Sequence, residues 1–506
     1  MEIKGLSQAF AARLAHAPEQ VYATGPQGDI TFAALAGAAD AMAARLAGAG
    51  VRRGDRVVVM MRNSPASLAM IFGLIRGGYV WVPGNPALVG EGLAHVLRQV
   101  EAALAVCDPE VLPALQACGQ SPRQGILVID DPALPAPSSF PGPQASGDAL
   151  PAPSDLASIM FTSGTTGPAK GVQVTHMMLE LAAHGVMVCA DIRAGDNLYI
   201  WEPFYHVGGA QVLVLPLLVP VRLTLSQRFS ASRFWSEVTE AGCTHIHHLG
   251  GIIQILLKQP ASALDRAHGV RIAWGGGCVP QAWRLFEERF GVELRECYGM
   301  TEASSLTTVN LEGVVGSVGR PLPWFDVRIQ DEAGRVLGRG EGRGQIIITS
   351  PLPGAIFAGY YRAPEATAKA LRADGFHTGD IGSWDDQGML FFHGRAGDSI
   401  RCRGENVSAY EVEAVVNRHP DVEESAMVGV PAEIGEYDIL LYLRLRPGSV
   451  PDAAAIAAWL DDKLPAYQRP RYVRILDAFP KTPSQRIQKH LLPRDLNAAW
   501  QRKVRA

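Results

Sequence analysis

Phe161 to Val172 read FTSGTTGPAKGV, a run that packs three glycines, four hydroxyl side chains and one lysine into a loop that ends where a hydrophobic strand begins. That composition suits a polyphosphate. Glycine lets backbone N–H groups approach phosphate oxygens without a Cβ in the way, Ser and Thr hydroxyls donate further hydrogen bonds, and Lys170 adds a compact positive charge. The run is not a Walker loop, because that pattern places Gly immediately before the lysine, whereas Ala169 stands there and Gly171 follows. A plain polar turn rarely concentrates so many small donors ahead of a lysine.

At 506 residues the chain exceeds what one compact core holds, so two or more domains are expected. Basic and acidic side chains number 46 and 50, a balance that argues against nucleic acid or an anionic membrane as partner. The seven cysteines, Cys107, Cys118, Cys189, Cys243, Cys278, Cys297 and Cys402, are scattered and odd in number with no C-x-x-C spacing. They read as reduced thiols of a cytoplasmic protein rather than as a disulfide framework or zinc site. The opening MEIKGLSQAFAARLAHAP lacks the apolar core and cleavage site of a signal peptide and reads as an amphipathic helix. The most apolar run, VLVLPLLVPV from Val212, is broken by Pro216 and Pro220. It falls short of the roughly 20 residues that span a bilayer, so no membrane insertion is expected.

Strand-like runs such as RVVVMM from Arg56, ILVID from Ile126 and EGRGQIIITS from Glu341 alternate with helical stretches rich in Ala and Leu. This alternation predicts an α/β protein with largely parallel sheets in its larger part. The segment DPALPAPSSFPGPQASGDALPAPSD from Asp131 is too rich in proline for regular structure and reads as a surface linker into the phosphate loop. No repeat of the kind that builds solenoids is visible. A second boundary falls inside GRAGDS from Gly394, after the hairpin-like WDDQGMLFFHG. The expected division is a large domain over 1–394, a hinge at 395–397 that includes Gly397, and a small mobile α+β domain over 398–506.

Further blocks follow the phosphate loop in order: PFYHVGG from Pro203, WGGGCVP from Trp274, YGMTE from Tyr298, DGFHTGD ending at Asp380, GRAGDSIRCRGENVSAYEVE from Gly394 and FPKTPSQRIQK from Phe479. Ahead of it stand ITFAALAGAADAMAARLAGAGVRRGDRV from Ile30 and RGGYVWVPGNP from Arg76. Together these resemble the adenylate-forming superfamily of acyl-CoA synthetases, adenylation domains and luciferases, along nearly the whole chain. SIRCRGENVSAYEVE and LPAYQRPRYV are most similar to the carnitine- and diterpenoid-acid-CoA-ligase branch. The resemblance implies a large domain of two doubly wound sheets plus a barrel-like sheet, with an active site where a small domain caps it. It implies ATP or an acyl-adenylate, CoA and Mg²⁺ as reactants and cofactors, and a carboxylic acid as substrate.

Residue by residue, the resemblance assigns Thr162, Ser163, Gly164, Thr165, Thr166, Gly167 and Lys170 to the β- and γ-phosphates, with Pro168-Ala169 as a local departure. Thr301 and Glu302 become the α-phosphate hydroxyl and the Mg²⁺ carboxylate, and Tyr298, with Gly299 beside it, the adenine stack. Gly275, Gly276 and Gly277 let the nucleotide lie against backbone, and Asp380 with Arg395 hold the ribose hydroxyls. His206 partly walls the acyl pocket, which draws further on Trp201, Phe204, Gly208, Gly209, His248, Gly250, Trp274 and Met300. The glycines among these suggest room for a bulky acid. Gly404 lines the pantetheine tunnel, and Arg401, Arg403, Arg469 and Arg471 are candidates for CoA phosphates. His245, His247 and His248 lack the carboxylate or Cys spacing of a zinc site and read as a strand with satisfied histidines.

Two positions depart from the family pattern. Its final motif ends in a catalytic lysine, where this chain has Arg486 after Gln485. A guanidinium keeps the charge but spreads it over a planar fork that does not sit as a compact ammonium between two oxygens. Gly397 stands where a polar hinge residue is usual. The leading expectation is therefore an acyl-CoA ligase intact in thioesterification and impaired or absent in adenylation. A complete synthetase using Arg486 or Lys489 stays open, as do a luciferase-like oxygenase and an acyl-adenylate-binding pseudoenzyme. A stand-alone adenylation enzyme for a carrier protein would need an acidic pocket residue, and none is evident in the sequence. A separate adenylating ligase as partner and a homodimer are also left open.

Overall fold

The computed structural model describes residues 2–137, 149–162, 169–249, 251–402, 405–432, 437–461, 463–482 and 486–502. The chain forms two compact units, one of Met1–Val327 with Ile348–Phe376, the other of Arg328–Ile347 with His377–Ala506.

Two sheets with parallel centres organise the first unit. The larger has nine strands, in the order Arg320–Pro321, Thr308–Val309, Glu293–Tyr298, Ile272–Gly276, His245–Leu249, Asn197–Ile200, Arg222–Leu225, Val21–Gly25 and Gly28–Thr31. Its six central strands pair in parallel, and only the flanking ones run antiparallel. The six-stranded sheet runs Ile126–Val128, Leu104–Cys107, Arg56–Met60, Val80–Pro83, Leu156–Thr162 and Lys170–Thr175. Its strands are apolar on both faces, as Val57, Val58, Leu104 and Ala105 show by being buried, because helices cover both sides of such a sheet. The helix Pro65–Gly77 illustrates how local chemistry sets those helices. Ser64 and Ser67 exchange side-chain and main-chain hydrogen bonds at its start, proline follows the cap, and Gly78 at φ 69° ends it.

A third sheet carries the strands Val336–Leu337, Asp326–Gln330, Gly344–Thr349, Gly375–Trp384, Leu371–Arg372 and Leu390–Arg395. The expected hairpin is present: Gly375–Trp384 and Leu390–Arg395 pair antiparallel about a turn held by Asp385, whose carboxylate accepts from the main chain of Gln387 and Met389. The C-terminal part of the second unit has a four-stranded sheet in the order Val422–Pro431, Tyr437–Leu445, Tyr472–Ile475 and Trp500–Gln501. The helices Ala409–Val416 and Ala453–Trp459 pack their Val412, Val416, Ile456 and Ala457 into one core with Met427, Leu441 and Val473. No described helix is long and apolar enough to cross a membrane. The α/β class and the two-sheet, third-sheet and small-domain arrangement expected from the sequence are thus present.

Candidate active site

In the first unit, the chemistry-bearing residues cluster at the C-terminal ends of parallel strands, where an open α/β sheet leaves its binding crevice. Tyr298 closes the strand Glu293–Tyr298, Trp274 to Gly276 close Ile272–Gly276, and His247 and His248 lie near the end of His245–Leu249. Trp201 and Glu202 follow directly on Asn197–Ile200.

Register sorts these residues into rows. His247 pairs with Trp274, and their rings lie 4.1 Å apart. His248 pairs with Gly275, which pairs in turn with Glu296. Gly275 leaves a gap in that row, so His248 Nε2 comes within 3.9 Å of Glu296 Oε1. At φ 152°, a Cβ on Gly275 would strike the His248 carbonyl oxygen at 1.8 Å, so close strand packing itself requires glycine there. Glu296 accepts from the main-chain N–H groups of Gly277 and Cys278 at 3.1 and 2.7 Å. Burial nonetheless pushes its carboxyl up to about 8. Burial, with His247 adding to it, pushes His248 down to about 3, which leaves a neutral imidazole.

The histidine strand is only partly satisfied. His245 bonds through its two ring nitrogens to Thr244 Oγ1 and the Ala190 carbonyl at 2.8 and 2.9 Å. Neither ring nitrogen of His248 has a hydrogen bond to the described residues. Among the described residues, no group of three or more His, Cys, Asp or Glu is disposed to hold a metal ion.

Trp201, Gly208 and Trp274 line one small cavity of about 10 Å³, together with Glu202, His247, Tyr199 and Val212. Glu202, an acidic residue that sequence reasoning did not single out, also lines this cavity. Its side chain is 3% exposed, and Oε2 lies 2.7 Å from His247 Nδ1. Burial alone would raise its carboxyl, but His247, and with a smaller effect His206, hold it below the ordinary carboxylate range. The main chain here is fixed separately. Asn63 donates to the Glu202 carbonyl at 2.7 Å and accepts from Phe204 N at 2.9 Å. His206 caps the helix Val207–Val212 by accepting from Gly208 N.

The glycines of this segment do not open space. A Cβ on Gly208 would stand 2.3 Å from Glu202 Oε2, and one on Gly209 would stand 2.3 Å from the Pro203 carbonyl oxygen. At Gly208 and Gly209 neighbouring atoms already fill the space that a side chain would take, so these two glycines give no support to a bulky acid.

Around YGMTE, Thr301 and Glu302 sit buried in a short 3-10 turn between Met300 and Ser304. Gly299 faces the Ser305 carbonyl oxygen so closely that a Cβ would lie 1.8 Å from it. The Tyr360 hydroxyl donates to Glu302 Oε1 at 2.9 Å, and Phe357 N donates to the Glu302 carbonyl at 2.8 Å. Lys170 Nζ stands 5.1 Å from the centre of the same Tyr360 ring. Tyr360, unremarked in the sequence, thus joins the lysine of the opening loop to the carboxylate of YGMTE. The only hint was a Gly-Tyr-Tyr run, here laid against the strand Lys170–Thr175 by main-chain bonds from Gln173 to Gly359 and from Tyr361 to Gly171. Thr162 and Lys170 are paired residues of the antiparallel hairpin that frames the loop. Ser163, Gly164, Thr165, Thr166 and Gly167 themselves lie outside the described residues, as do Gly250, Arg403, Gly404 and Gln485.

In the second unit, Asp380 and Arg395 are paired across the hairpin, with Arg395 Nε 3.2 Å from the buried Asp380 Oδ1. Gly397 lies in the short 3-10 turn Ala396–Asp398. Arg401 falls in the strand Ser399–Cys402. Arg469 donates to the Leu464 carbonyl, and Arg471 lies 3.3 Å from Asp438, so both have partners within this unit. Arg486 is exposed, with its N–H donating to Thr482 Oγ1 at 3.0 Å and its carbonyl accepting from Thr482 N at 2.7 Å. The two nearby lysines are engaged: Lys481 lies 2.6 Å from Glu424, and Lys489 lies 2.8 Å from Glu413.

Comparison with known proteins agrees with this geometry. Residues 8–361 match the family described as AMP-binding enzyme, and residues 411–486 match the AMP-binding enzyme C-terminal domain. A crotonobetaine/carnitine–CoA ligase of Salmonella typhi is 32% identical over 463 residues, covering 87% of this chain and 88% of that protein. A sulfoacetate–CoA ligase of Cupriavidus necator is 31% identical over 513 residues, covering 96% of each. The crystal structure of ATP-bound MatB from Rhodopseudomonas palustris superposes with a TM-score of 0.83 at 26% identity, over 96% of this chain and 98% of that one. With both family segments matched in order and relatives aligned along most of its length, the chain belongs to the AMP-binding enzyme family.

Proposed function

We propose that the protein is an acyl-CoA ligase that works through an acyl-adenylate, with thioester formation intact and adenylation impaired. In the first half-reaction a carboxylate oxygen of the acid attacks the α-phosphorus of ATP, the bond to the β-phosphate oxygen breaks, and pyrophosphate leaves. In the second, the CoA sulfur attacks the acyl carbon, the thiol proton is given up, and the bond from acyl carbon to the AMP oxygen breaks. Charge develops on oxygens in both, so placed cations and N–H donors matter more than a strong base.

The observation that carries this reading is the Tyr360 link, which brings Lys170 and Glu302 to one ring. Lys170, with Thr162 and the loop between them, is assigned to the β- and γ-phosphates, Thr301 to the α-phosphate and Tyr298 to adenine. Asp380 and Arg395 are assigned to the ribose hydroxyls and Gly404 to the pantetheine path. Glu302, a buried carboxylate oriented by a phenol, fits a Mg²⁺ ion, which takes one or two carboxylate oxygens and keeps several waters. Bound there, the ion would neutralise phosphate charge. Two relatives that carry the name CoA ligase over 87% and 96% of this chain support the thioester product.

The impairment is argued from Arg486. An ammonium at that position would have to come from elsewhere, and the ion pairs of Lys481 with Glu424 and Lys489 with Glu413 argue against either lysine serving. The test separates the half-reactions: pyrophosphate release from ATP plus a panel of acids, and CoA consumption from synthetic acyl-adenylates. Thioester from the adenylates with little pyrophosphate from ATP is expected. Brisk pyrophosphate release would establish a complete synthetase instead, and adenylate binding without CoA consumption would establish a pseudoenzyme.

A further inference from the structure

Glu202 is buried at a cost of several kcal/mol for a desolvated carboxylate, and nothing in the surrounding main chain uses it. Gly208 N bonds to His206 Nδ1, and Asn63 holds the backbone of Glu202 and Phe204, so the carboxylate neither caps the helix nor shapes the turn. Its Oε2 lies 2.7 Å from His247 Nδ1 without the alignment of a hydrogen bond, and Oε1 has no hydrogen-bond donor among the described residues. The neighbouring indole is committed elsewhere, since Trp201 Nε1 donates to the His247 carbonyl at 2.8 Å. The cavity that Glu202 lines is otherwise walled largely by carbon, and at about 10 Å³ it admits one group the size of a water molecule.

We propose that Glu202, oriented by His247, selects carboxylic acids whose acyl part carries one small N–H or O–H donor, an amino or a hydroxyl group, that enters this cavity. The proposal rests on the reading of Trp201, Gly208 and Trp274 as acyl-pocket residues. A methyl group in place of the donor would fill the same volume and leave a buried carboxylate oxygen unpaired, and sites of this kind reject such isosteres strongly. An amino and a hydroxyl group satisfy the oxygen alike. A pocket that needs a cation would take only the amine.

The test measures equilibrium binding of acylsulfamoyl adenosines, unreactive mimics of acyl-adenylates, made from benzoic and pentanoic acids bearing hydroxyl, amino or methyl at each position. The expected result is that, at one position or more, the hydroxyl or amino mimic binds the wild-type protein about tenfold or more tightly than its methyl isostere. Glu202→Gln, which keeps the volume but replaces one acceptor by a donor, should bring that ratio to within about threefold. Equal binding of donor and methyl mimics at every position in the wild type overturns the proposal without any variant, and so does a preference that survives Glu202→Gln. The outcomes also separate this proposal from the ligase reading. Donor preference in binding with no thioester from the matching adenylate and CoA leaves the pocket assignment standing and removes the ligase. Thioester formation without donor preference does the reverse, and failure of every mimic to bind removes both.

Discussion

Gly208 faces Glu202 so closely that a Cβ on it would lie 2.3 Å from Oε2 and 3.0 Å from Oε1. Its neighbour Gly209 is as tightly placed, but against the main-chain oxygen of Pro203. The difference between a side-chain and a main-chain obstacle is testable. In Gly208→Ala the carboxylate can rotate away, at the expense of its contact with His247, and a loss on the order of 1–3 kcal/mol is expected. In Gly209→Ala a carbonyl would have to move with its backbone, and the loss should be larger. Urea denaturation of both variants checks the order. A Gly209→Ala protein as stable as wild type would show that the segment yields easily and that the glycines are not sterically required.

A second prediction concerns pH. Burial pushes His248 down to about 3 and His176 down to about 4, so both are neutral in the folded protein and take up protons in the unfolded chain below their ordinary value. Their contribution to stability is present above about pH 6.5 and is lost as pH falls toward 4 and 3. Glu296 works in the opposite sense. Its carboxyl is raised to about 8, so the stability it contributes is full below its ordinary value of 4.5 and is lost as pH rises to 8. Glu296→Gln should therefore gain stability relative to wild type between pH 5 and 8, by on the order of a few kcal/mol. Parallel stability curves for the two proteins across that range would mean that Glu296 is ionised in the fold.

What the sequence made legible was local or periodic. The strands Arg56–Met60, Ile126–Val128 and Gly344–Thr349 and the turn at Asp385 are each specified by neighbouring residues, so reading along the chain finds them. Glu202 was not legible, because a glutamate before Pro-Phe reads as solvated charge until the strand His245–Leu249 brings His247 across to it. Tyr360 was missed for the same reason: its partners Glu302 and Lys170 are far away in sequence and meet it only through tertiary structure. The strand Trp500–Gln501 is two residues long, too short for any period to show. Glycine content alone does not give direction. Composition counts missing side chains but does not say whether the vacated space holds a ligand or, as at Gly208, a carboxylate.

Tyr360 yields a third prediction. Tyr360→Phe keeps the ring beside Lys170 but removes the hydroxyl that donates to Glu302 Oε1. Removing one donor from a buried carboxylate costs roughly 1–3 kcal/mol. If Glu302 holds Mg²⁺ for the phosphates, whatever ATP-dependent pyrophosphate release the wild type shows should fall about tenfold or more. CoA consumption from preformed acyl-adenylate should fall much less, since the pyrophosphate that the ion neutralises has gone by then. Equal losses in the two half-reactions would make Tyr360 a structural support with no bias toward ATP chemistry.

The last prediction addresses Arg486. It is exposed and hydrogen-bonded to Thr482, and the lysines on either side are committed to Glu424 and Glu413. If the missing ammonium is what slows adenylation, Arg486→Lys combined with Gln485→Gly should raise pyrophosphate release by about a hundredfold, the size of one transition-state charge contact. CoA consumption from synthetic acyl-adenylate should barely change, because that step has no pyrophosphate to expel. Lys489→Ala serves as the control. A lysine that only holds Glu413 should cost stability when removed and leave the ratio of the two half-reactions unchanged. If Lys489→Ala instead abolishes pyrophosphate release while sparing CoA consumption, Lys489 is the adenylation cation and its ion pair opens in use. Wild-type pyrophosphate release at about 1 s⁻¹ or faster, an ordinary turnover for an enzyme, would remove the impairment altogether and leave a complete synthetase that adenylates with arginine.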